Sequence, residues 1–500
     1  MKKILIGLLL IALLLRLPQL NGSFWLDEAA QALESARPLS QQLDIVPDFQ
    51  PPLLHLITHL AIQLSQQEWW LRLIGALIPG LITIWATIKI GQKIFNSRTG
   101  LIAGFLLSTS SFHIFYSQEL RPYSLPTMIA ALSWLTLTSL FFRKKEKHFD
   151  QAPTQKKLWV IFTLLTAVGL YSSYLYPFLL FSQLLFVIFF KRHYLKQIFF
   201  STFIASILFV PWLPTFFKQL QAGQELRQTI PGWESIVSIP QAKALLLTIG
   251  KLVFGIVDLE VNFRFVSLCV LLLIGTLVLL LKPNKKLTQT VKLALVWFVT
   301  PLLTAWIVSF AVPVVRPKRL LLIQPGLYLF FGSLIAHGWQ SARAWSRAKI
   351  FSFAFFLLLT AINLSSSFQY FVRQEYQREN WRSLYQEIET RFPEAETVVV
   401  FSFEQPFAPW SWYNQNKFPT LSTGFNNFNQ VQDLTATLKP VYQYQYVLIF
   451  DYLRDLTDPA DEITKTVESF GYQPAGVIDR HNIGFVRIHV KEAQLSSFSH

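Results

Sequence analysis

The feature that most constrains this chain is a series of apolar runs that recur from the N-terminus to about residue 369. A helix rises about 1.5 Å per residue, so about 20 apolar residues cross the hydrocarbon core of a bilayer. Charged residues make up only 15% of the 500 residues, whereas soluble domains carry about 25%. The sequence therefore predicts a polytopic α-helical membrane protein and excludes a soluble α/β enzyme.

The positions of these runs predict about 11 transmembrane helices. Two further apolar stretches, 53–66 and 241–257, are interpreted as helices at the membrane surface, because counting either as a span would place the later basic loops outside. With 11 spans, the loop 21–68 and the C-terminus lie on the exterior side. The predicted spans lie near residues 4–15, 69–90, 99–117, 122–142, 158–174, 175–190, 197–217, 262–281, 291–311, 320–337 and 350–367.

The composition changes near residue 370. Residues 1–369 contain 33 basic and 13 acidic residues, whereas residues 370–500 contain 11 and 16. The later segment has one amphipathic helical pattern and three strand-like runs, at 375–392, 397–401, 446–450 and 482–490. We therefore predict a transmembrane domain over 1–369, which includes surface helices in the loop 21–68, and an exterior α/β domain over 370–500.

The composition argues against a nucleic-acid partner and against sites built on cysteine. The net charge of +15 is spread over loops between spans rather than gathered on one aromatic-rich basic face, so we expect no nucleic-acid partner. The single cysteine, Cys269, excludes an internal disulfide and a cysteine-based metal site. The expected environment is the lipid bilayer.

Four polar motifs lie at predicted exterior ends of the spans. Each has a structural explanation: the acidic pair after the first span can face water and help set topology, the histidine can be an ordinary surface residue, and the later acid and arginine can form a local ion pair. Each motif also has a functional explanation, since ionisable groups at the membrane boundary often mark functional sites. The motifs contain Asp27 and Glu28, Asp48 and His55, Arg72, and Glu119, Arg121 and Tyr123.

In this order the motifs resemble the C-type (GT-C) superfamily of membrane glycosyltransferases, and more narrowly glycosyltransferase family 39. That group includes protein O-mannosyltransferases, lipid A aminoarabinose transferases and rhizobial galacturonosyltransferases. The resemblance covers about residues 1–340 and rests on the segments 24–29, 48–53, 71–73 and 116–125. A late basic cluster at 316–320 stands where relatives often have Arg-Tyr, but here Leu320 replaces the tyrosine.

The resemblance implies a polyprenyl-phosphate sugar donor in the outer leaflet and transfer of its sugar to a lipid, glycan or protein acceptor. It assigns the general base to Asp27, with Glu28 orienting it or contacting the acceptor and Glu119 in the same catalytic group. Preorganised cations stabilise charge on a leaving phosphate, although the same cations can bind lipid head groups. The donor-phosphate candidates are Arg121, Lys318, Arg319 and Arg72.

The remaining candidates are expected to contact substrate. These are Tyr123, Asp48 and His55, and a divalent cation held by Asp48, His55 or Glu119 is compatible with the resemblance because some relatives use a metal. The expected location is a bacterial inner membrane with the site facing the periplasm.

Two other functions are weighed against the transferase. A transporter or flippase predicts ionisable residues buried in mid-span and matched interrupted helices, whereas the acids here collect on one face. A non-catalytic scaffold leaves the ordered motifs unexplained. In the tail, the aromatic run Trp410–Tyr413 can stack on sugars, but such runs are more often core or interface anchors.

Overall fold

The structure is a computed structural model that describes residues 2–142, 151–229, 240–281, 285–340, 347–403, 405–424 and 433–491. The chain divides into two compact units. The membrane unit contains Met1–Leu20, Pro38–Arg227 and Gly232–Tyr376, and the α/β unit contains Asn21–Arg37 and Gln377–His500 with the short stretch Gln228–Pro231. The division predicted at residue 369 remains a prediction; the loop segment Asn21–Arg37 belongs with the α/β unit.

The described part of the chain is mostly helical, as predicted. Its helices up to residue 372 are α1 (Lys2–Leu14), α2 (Leu26–Ala36), α3 (Leu53–Ile62), α4 (Glu68–Arg72), α5 (Ile78–Ile94), α6 (Ser97–Thr109), α7 (Ser111–Tyr116), α8 (Ser124–Phe141), α9 (Gln151–Leu170), α10 (Tyr176–Phe190), α11 (Leu195–Phe209), α12 (Leu213–Thr229), α13 (Gln241–Phe254), α14 (Phe263–Leu280), α15 (Lys285–Val308), α16 (Gln324–Gly338) and α17 (Arg347–Val372). After them come α18 (Trp381–Arg391), α19 (Ala408–Asn414), α20 (Leu434–Leu438), α21 (Arg454–Thr457) and α22 (Glu462–Ser469).

Among the described residues, 7 helices are long and apolar enough to cross a membrane. They are Glu68–Ile94, Ser124–Phe141, Arg192–Glu225, Phe263–Leu280, Leu287–Val308, Pro317–Gly338 and Arg347–Val372. The predicted class of polytopic helical membrane protein is confirmed, while the count of 11 spans stays a prediction. The two stretches interpreted as surface helices form α3, of 10 residues, and α13, of 14, which are too short to cross the bilayer directly.

The spans differ in how deeply they lie within the membrane unit. In Pro317–Gly338, 94% of the apolar window is buried inside the protein, whereas in Phe263–Leu280 only 11% is. A helix that is apolar all round and buried must be central, and one whose apolar side chains are left uncovered must face lipid. Close packing also depends on small residues: a Cβ on Gly91 of α5 would lie 2.7 Å from the Gly100 Cα of α6.

The α/β unit is built on a five-stranded sheet of order β2-β1-β3-β5-β4. The strands are β1 (Thr397–Phe401), β2 (Thr420–Ser422), β3 (Tyr446–Phe450), β4 (Tyr472–Arg480) and β5 (Gly484–Lys491). Strands β2, β1 and β3 are parallel, whereas β5 is antiparallel to both β3 and β4. Every residue of β1 is buried, as expected for a central parallel strand that is covered on both faces.

The predicted α/β character of the tail is therefore confirmed, although its elements were only partly predicted. The helical pattern at 375–392 corresponds to α18, and two predicted strands coincide with β1 and β3. Strands β2 and β4 were not predicted. In β4 the pairing with β5 shifts register between Pro474 and Gly476. This irregularity breaks the alternation of buried and exposed residues by which a strand is recognised in sequence.

Candidate active site

The predicted site residues occur in both units. Asp27 and Glu28 belong to the α/β unit, and the others belong to the membrane unit.

In the membrane unit, Asp48 and His55 form a hydrogen-bonded pair. The His55 Nε2 lies 2.7 Å from Asp48 Oδ2, and His55 is fully buried. Phe49, between them in sequence, has a left-handed backbone with φ of 46°, a conformation that non-glycine residues adopt rarely and usually in tight turns. This turn is followed by Pro51 and Pro52, after which α3 begins and carries His55 in its first turn. The interpretation of His55 as an ordinary surface residue is therefore wrong.

Two glutamines make further hydrogen bonds in this loop, and the sequence motifs indicated neither of them. The Gln50 side-chain amide donates to Asp48 Oδ2 and lies 2.7 Å from His55 Nε2. Gln219, on α12, donates to the backbone carbonyls of Ile45 at 2.7 Å and Gln50 at 3.1 Å. Both glutamines are buried. The backbone at Ile45 and Gln50 is therefore held by one side chain from a distant helix, a contact that no local pattern in the sequence indicates.

Arg121 joins the Asp48–His55 pair from another segment. Its Nη1 donates to Asp48 Oδ1 at 3.1 Å, and the two side chains are only 12% and 10% exposed. A tight turn presents it: the Arg121 N–H donates to the Glu119 carbonyl at 2.8 Å, and the Tyr123 N–H donates to the Arg121 carbonyl at 2.7 Å. Burial raises the pKa of the Asp48 carboxyl, but the Arg121 charge and the His55 hydrogen bond outweigh it and leave that pKa below its ordinary value. Asp48 is thus held as an anion.

The other membrane-unit candidates lie around this turn or support the backbone. The Lys318 Nζ lies 5.4 Å from the ring centre of Tyr123, within the range of a cation–π contact. Arg319 donates to the Pro313 carbonyl at 3.2 Å. Arg72 is fully buried and donates to the Leu20 carbonyl at 2.9 Å, which ties α4 to the segment after α1. Glu119 is also buried.

In the α/β unit, Asp27 and Glu28 lie in the first turn of α2. Carboxylates are favoured there by the partial positive charge at a helix N-terminus. Glu28 is fully buried, and its Oε2 lies 3.7 Å from the Nε of Arg378, whose side chain is 8% exposed. Asp27 is only partly buried. The adjacent acids therefore have different environments: Glu28 is buried and paired with a buried arginine, whereas Asp27 is partly exposed.

The aromatic run 410–413 fixes the segment before α2. The Tyr413 hydroxyl accepts a hydrogen bond from the Phe24 N–H at 2.9 Å, and the ring of Trp412 packs against Phe24 with centroids 5.6 Å apart. Trp410 is buried in the core. Within this unit, the run anchors the Asp27–Glu28 segment and contributes to the core, as the structural interpretation of such runs predicts.

The Asp48 carboxylate also makes a testable contribution to stability. Because its pKa is lowered in the folded protein, it stabilises the fold at pH values above the unfolded value of about 3.9, and this contribution is lost as the pH falls through the lower folded value. We expect Asp48→Asn to reduce the free energy of unfolding by about 1–3 kcal/mol at pH 7 and the difference to shrink below pH 4.

The measurement is thermal unfolding in detergent, followed by tryptophan fluorescence, from pH 7 to pH 3. Asp44→Asn is the matched control, because Asp44 is an exposed carboxylate of the same loop. A stability difference between wild type and Asp48→Asn that does not change with pH would contradict this account of Asp48.

Comparison with known proteins identifies the class of this fold. Residues 49–214, which include His55 and the 119–123 turn, match the family described as dolichyl-phosphate-mannose-protein mannosyltransferase. No curated protein sequence matches the chain. The matching family and the solved structures below are all C-type glycosyltransferases. The resemblance predicted from the motifs is therefore confirmed: this is a membrane protein with the GT-C fold.

Three solved structures illustrate the similarity. ArnT from Cupriavidus metallidurans bound to undecaprenyl phosphate matches with a TM-score of 0.56 at 8% identity, covering 98% of each chain. The Archaeoglobus fulgidus oligosaccharyltransferase AglB, in complex with an inhibitory peptide and a dolichol-phosphate, matches at 0.53 and 12%, covering 99% of this chain and 76% of its own. A structure of an Archaeoglobus fulgidus oligosaccharyltransferase in complex with Zn and sulfate matches with a TM-score of 0.53 at 13% identity, covering 98% of this chain and 73% of its own.

Proposed function

We propose that this protein is a glycosyltransferase that moves a sugar from a polyprenyl-phosphate donor to an acceptor on the exterior side of the membrane. The observation that carries the proposal is the Arg121–Asp48–His55 cluster, which joins two of the family-like motifs through hydrogen bonds and buries them. Proteins of the same fold bind undecaprenyl phosphate and a dolichol-phosphate. We place the protein in a bacterial inner membrane with this site facing the periplasm.

The proposed chemistry is displacement at C1 of the donor sugar. The acceptor O–H gives its proton to the carboxylate of Asp27, the acceptor oxygen bonds to C1, and the C1–O bond breaks with its electron pair going to the leaving phosphate. A positioned general base contributes about 10²–10⁴ in rate. Asp27 suits this role because it is partly exposed, whereas Glu28 is held by Arg378 and is assigned to orientation.

The cations are assigned to the leaving phosphate. A guanidinium carries five donors, so Arg121 can hold Asp48 and a phosphate oxygen at the same time. Lys318, beside the ring of Tyr123, and Arg319 are assigned to the same group. Arg72 is the least exposed of the set and already donates to a backbone carbonyl, so we assign it mainly to fixing the chain before the second span.

We further propose the Asp48–His55 pair as the site of a divalent cation. A carboxylate oxygen and an imidazole nitrogen lie 2.7 Å apart, and both are ligands that zinc accepts. Glu119, buried in the same unit, is a third candidate. A bound cation would offset the negative charge of the donor phosphate, and these residues would hold it.

The test is a transfer assay with purified protein in lipid nanodiscs. Donors are a panel of polyprenyl-phosphate sugars, acceptors are lipid A, glycans and peptides, and products are identified by mass spectrometry. We expect one donor to be consumed and polyprenyl phosphate to be released, and parallel reactions with a chelator or with added Zn²⁺ and Mg²⁺ measure metal dependence. Failure to consume any donor under every metal condition, with normal thermal unfolding, would exclude the transferase.

A further inference from the structure

A second carboxylate in the α/β unit, that of Glu379, lies beside the proposed base. Glu379 lies two residues before the start of α18, and both of its carboxylate oxygens accept hydrogen bonds. The Trp381 Nε1 donates to Oε2 at 2.5 Å, and the Tyr452 hydroxyl donates to Oε1 at 2.8 Å. Tyr452 follows the end of β3 by two residues. In sheets of this kind, the carboxyl ends of the parallel strands are where functional groups collect.

Glu379 also contacts the helix that carries Asp27. Its carboxylate accepts a hydrogen bond from the backbone N–H of Leu26, which is the first residue of α2 and precedes Asp27 directly. The first N–H groups of a helix have no partner within the helix, so a carboxylate there satisfies one of them and fixes the first turn. Leu26 and Glu379, which are 353 positions apart in sequence, are thereby joined beside the proposed base.

Burial and neighbouring groups both act on the ionisation of Glu379. Burial is the main cause that raises its pKa; the donors Trp381, Tyr452 and Leu26 lower it, and the negative charge of Asp27 raises it further. The net result is a pKa above the ordinary value for glutamate. The neighbouring cation, Arg378, is paired with Glu28. Among the described residues, the titratable groups that act on Glu379 include Asp27 on α2 and Tyr452 after β3.

We propose that Glu379 is a positioning residue for Asp27, which holds the first turn of α2 through Leu26 and keeps a second negative charge beside the base. The proposal rests on the function proposed above for Asp27. Its chemical consequence is electrostatic: the negative charges of the two carboxylates repel, so ionisation of one disfavours ionisation of the other.

A purely structural role for Glu379 predicts a different result. If the carboxylate only accepts hydrogen bonds, a neutral side chain of the same shape should serve as well. Glu379→Gln is such a side chain: its amide oxygen can accept from Trp381, and its NH₂ can donate to the Tyr452 hydroxyl, which can act as donor or acceptor. This variant therefore removes the charge while keeping most of the contacts.

The experiment is the pH dependence of kcat/KM for sugar transfer in wild type and variants. We expect Glu379→Gln to move the acidic limb to lower pH by about one unit, because the carboxyl whose pKa is raised is no longer present to titrate. We expect Tyr452→Phe to move it to higher pH, because the Glu379 anion loses a donor. Glu396→Gln, which removes an exposed carboxylate of the same unit, should leave the limb in place.

Two outcomes overturn the proposal. One is an unshifted limb in both Glu379→Gln and Tyr452→Phe; the other is a lower rate at every pH with the limb unchanged, which would make Glu379 only a structural acceptor. Tyr452→Phe decides the question alone if Glu379→Gln does not fold. Asp27→Asn distinguishes the two levels: full transfer by that variant refutes the role proposed above for Asp27, whereas its inactivity with an unshifted limb refutes only the role of Glu379.

Discussion

Asp27→Asn is expected to reduce sugar transfer by about 10²–10⁴-fold, which is the contribution of a positioned general base. The substitution keeps the size and most of the polarity of the side chain but cannot accept the acceptor's proton. Asp27 lies in the first turn of α2 and is partly exposed, so the change should cost little stability. The measurement is kcat for transfer together with donor affinity, and we expect kcat to fall while donor affinity remains close to wild type.

Asp455→Asn is the matched control for this variant. Asp455 is an exposed carboxylate in the first turn of α21, in the same α/β unit. Its replacement should leave both kcat and the unfolding temperature unchanged. Wild-type transfer by Asp27→Asn would show that Asp27 is not the general base, and the base would then have to be another residue.

The helical frame was predictable because it depends on local properties of the sequence. Crossing a bilayer requires a continuous apolar run, and such runs at 69–90, 122–142, 262–281, 320–337 and 350–367 match the long apolar helices Glu68–Ile94, Ser124–Phe141, Phe263–Leu280, Pro317–Gly338 and Arg347–Val372. Strands β1 and β3 were also predictable, since buried parallel strands are nearly continuous runs of Val, Ile and aromatic residues. Strand β2, of three residues, is too short to give a pattern.

The candidate site was predictable only as far as its motifs extend. Asp48, His55 and Arg121 were identified from short motifs, and the structure brings these three together. Gln219 and Glu379 were missed because their partners, Ile45 and Leu26, contribute backbone atoms, which carry no sequence signal. An amide or carboxylate that bonds a distant backbone group can be found from coordinates, but a single sequence does not indicate its partner.

The cluster around Asp48 contains two kinds of interaction that mutation can separate. Arg121→Gln removes the positive charge proposed to stabilise the leaving phosphate, and we expect kcat for transfer to fall by about 10²–10³-fold, the usual cost of losing a preorganised charge-stabilising donor. It also leaves the buried Asp48 carboxylate without this cation, so the protein should be destabilised by up to about 3–5 kcal/mol. Arg264→Gln, an exposed arginine on α14, is the control.

The double variant Asp48→Asn/Arg121→Gln separates these effects. Removing the carboxylate as well as the cation leaves no buried unpaired charge, so we expect the double variant to be more stable than Arg121→Gln alone, a coupling that a double-mutant cycle measures directly. Transfer should stay low, because the cation for the donor phosphate is still missing. Recovery of transfer together with stability would mean that Arg121 acts only by holding Asp48, and the phosphate role would then pass to Lys318 and Arg319. Low transfer in a protein of restored stability is the result expected if Arg121 stabilises the leaving phosphate.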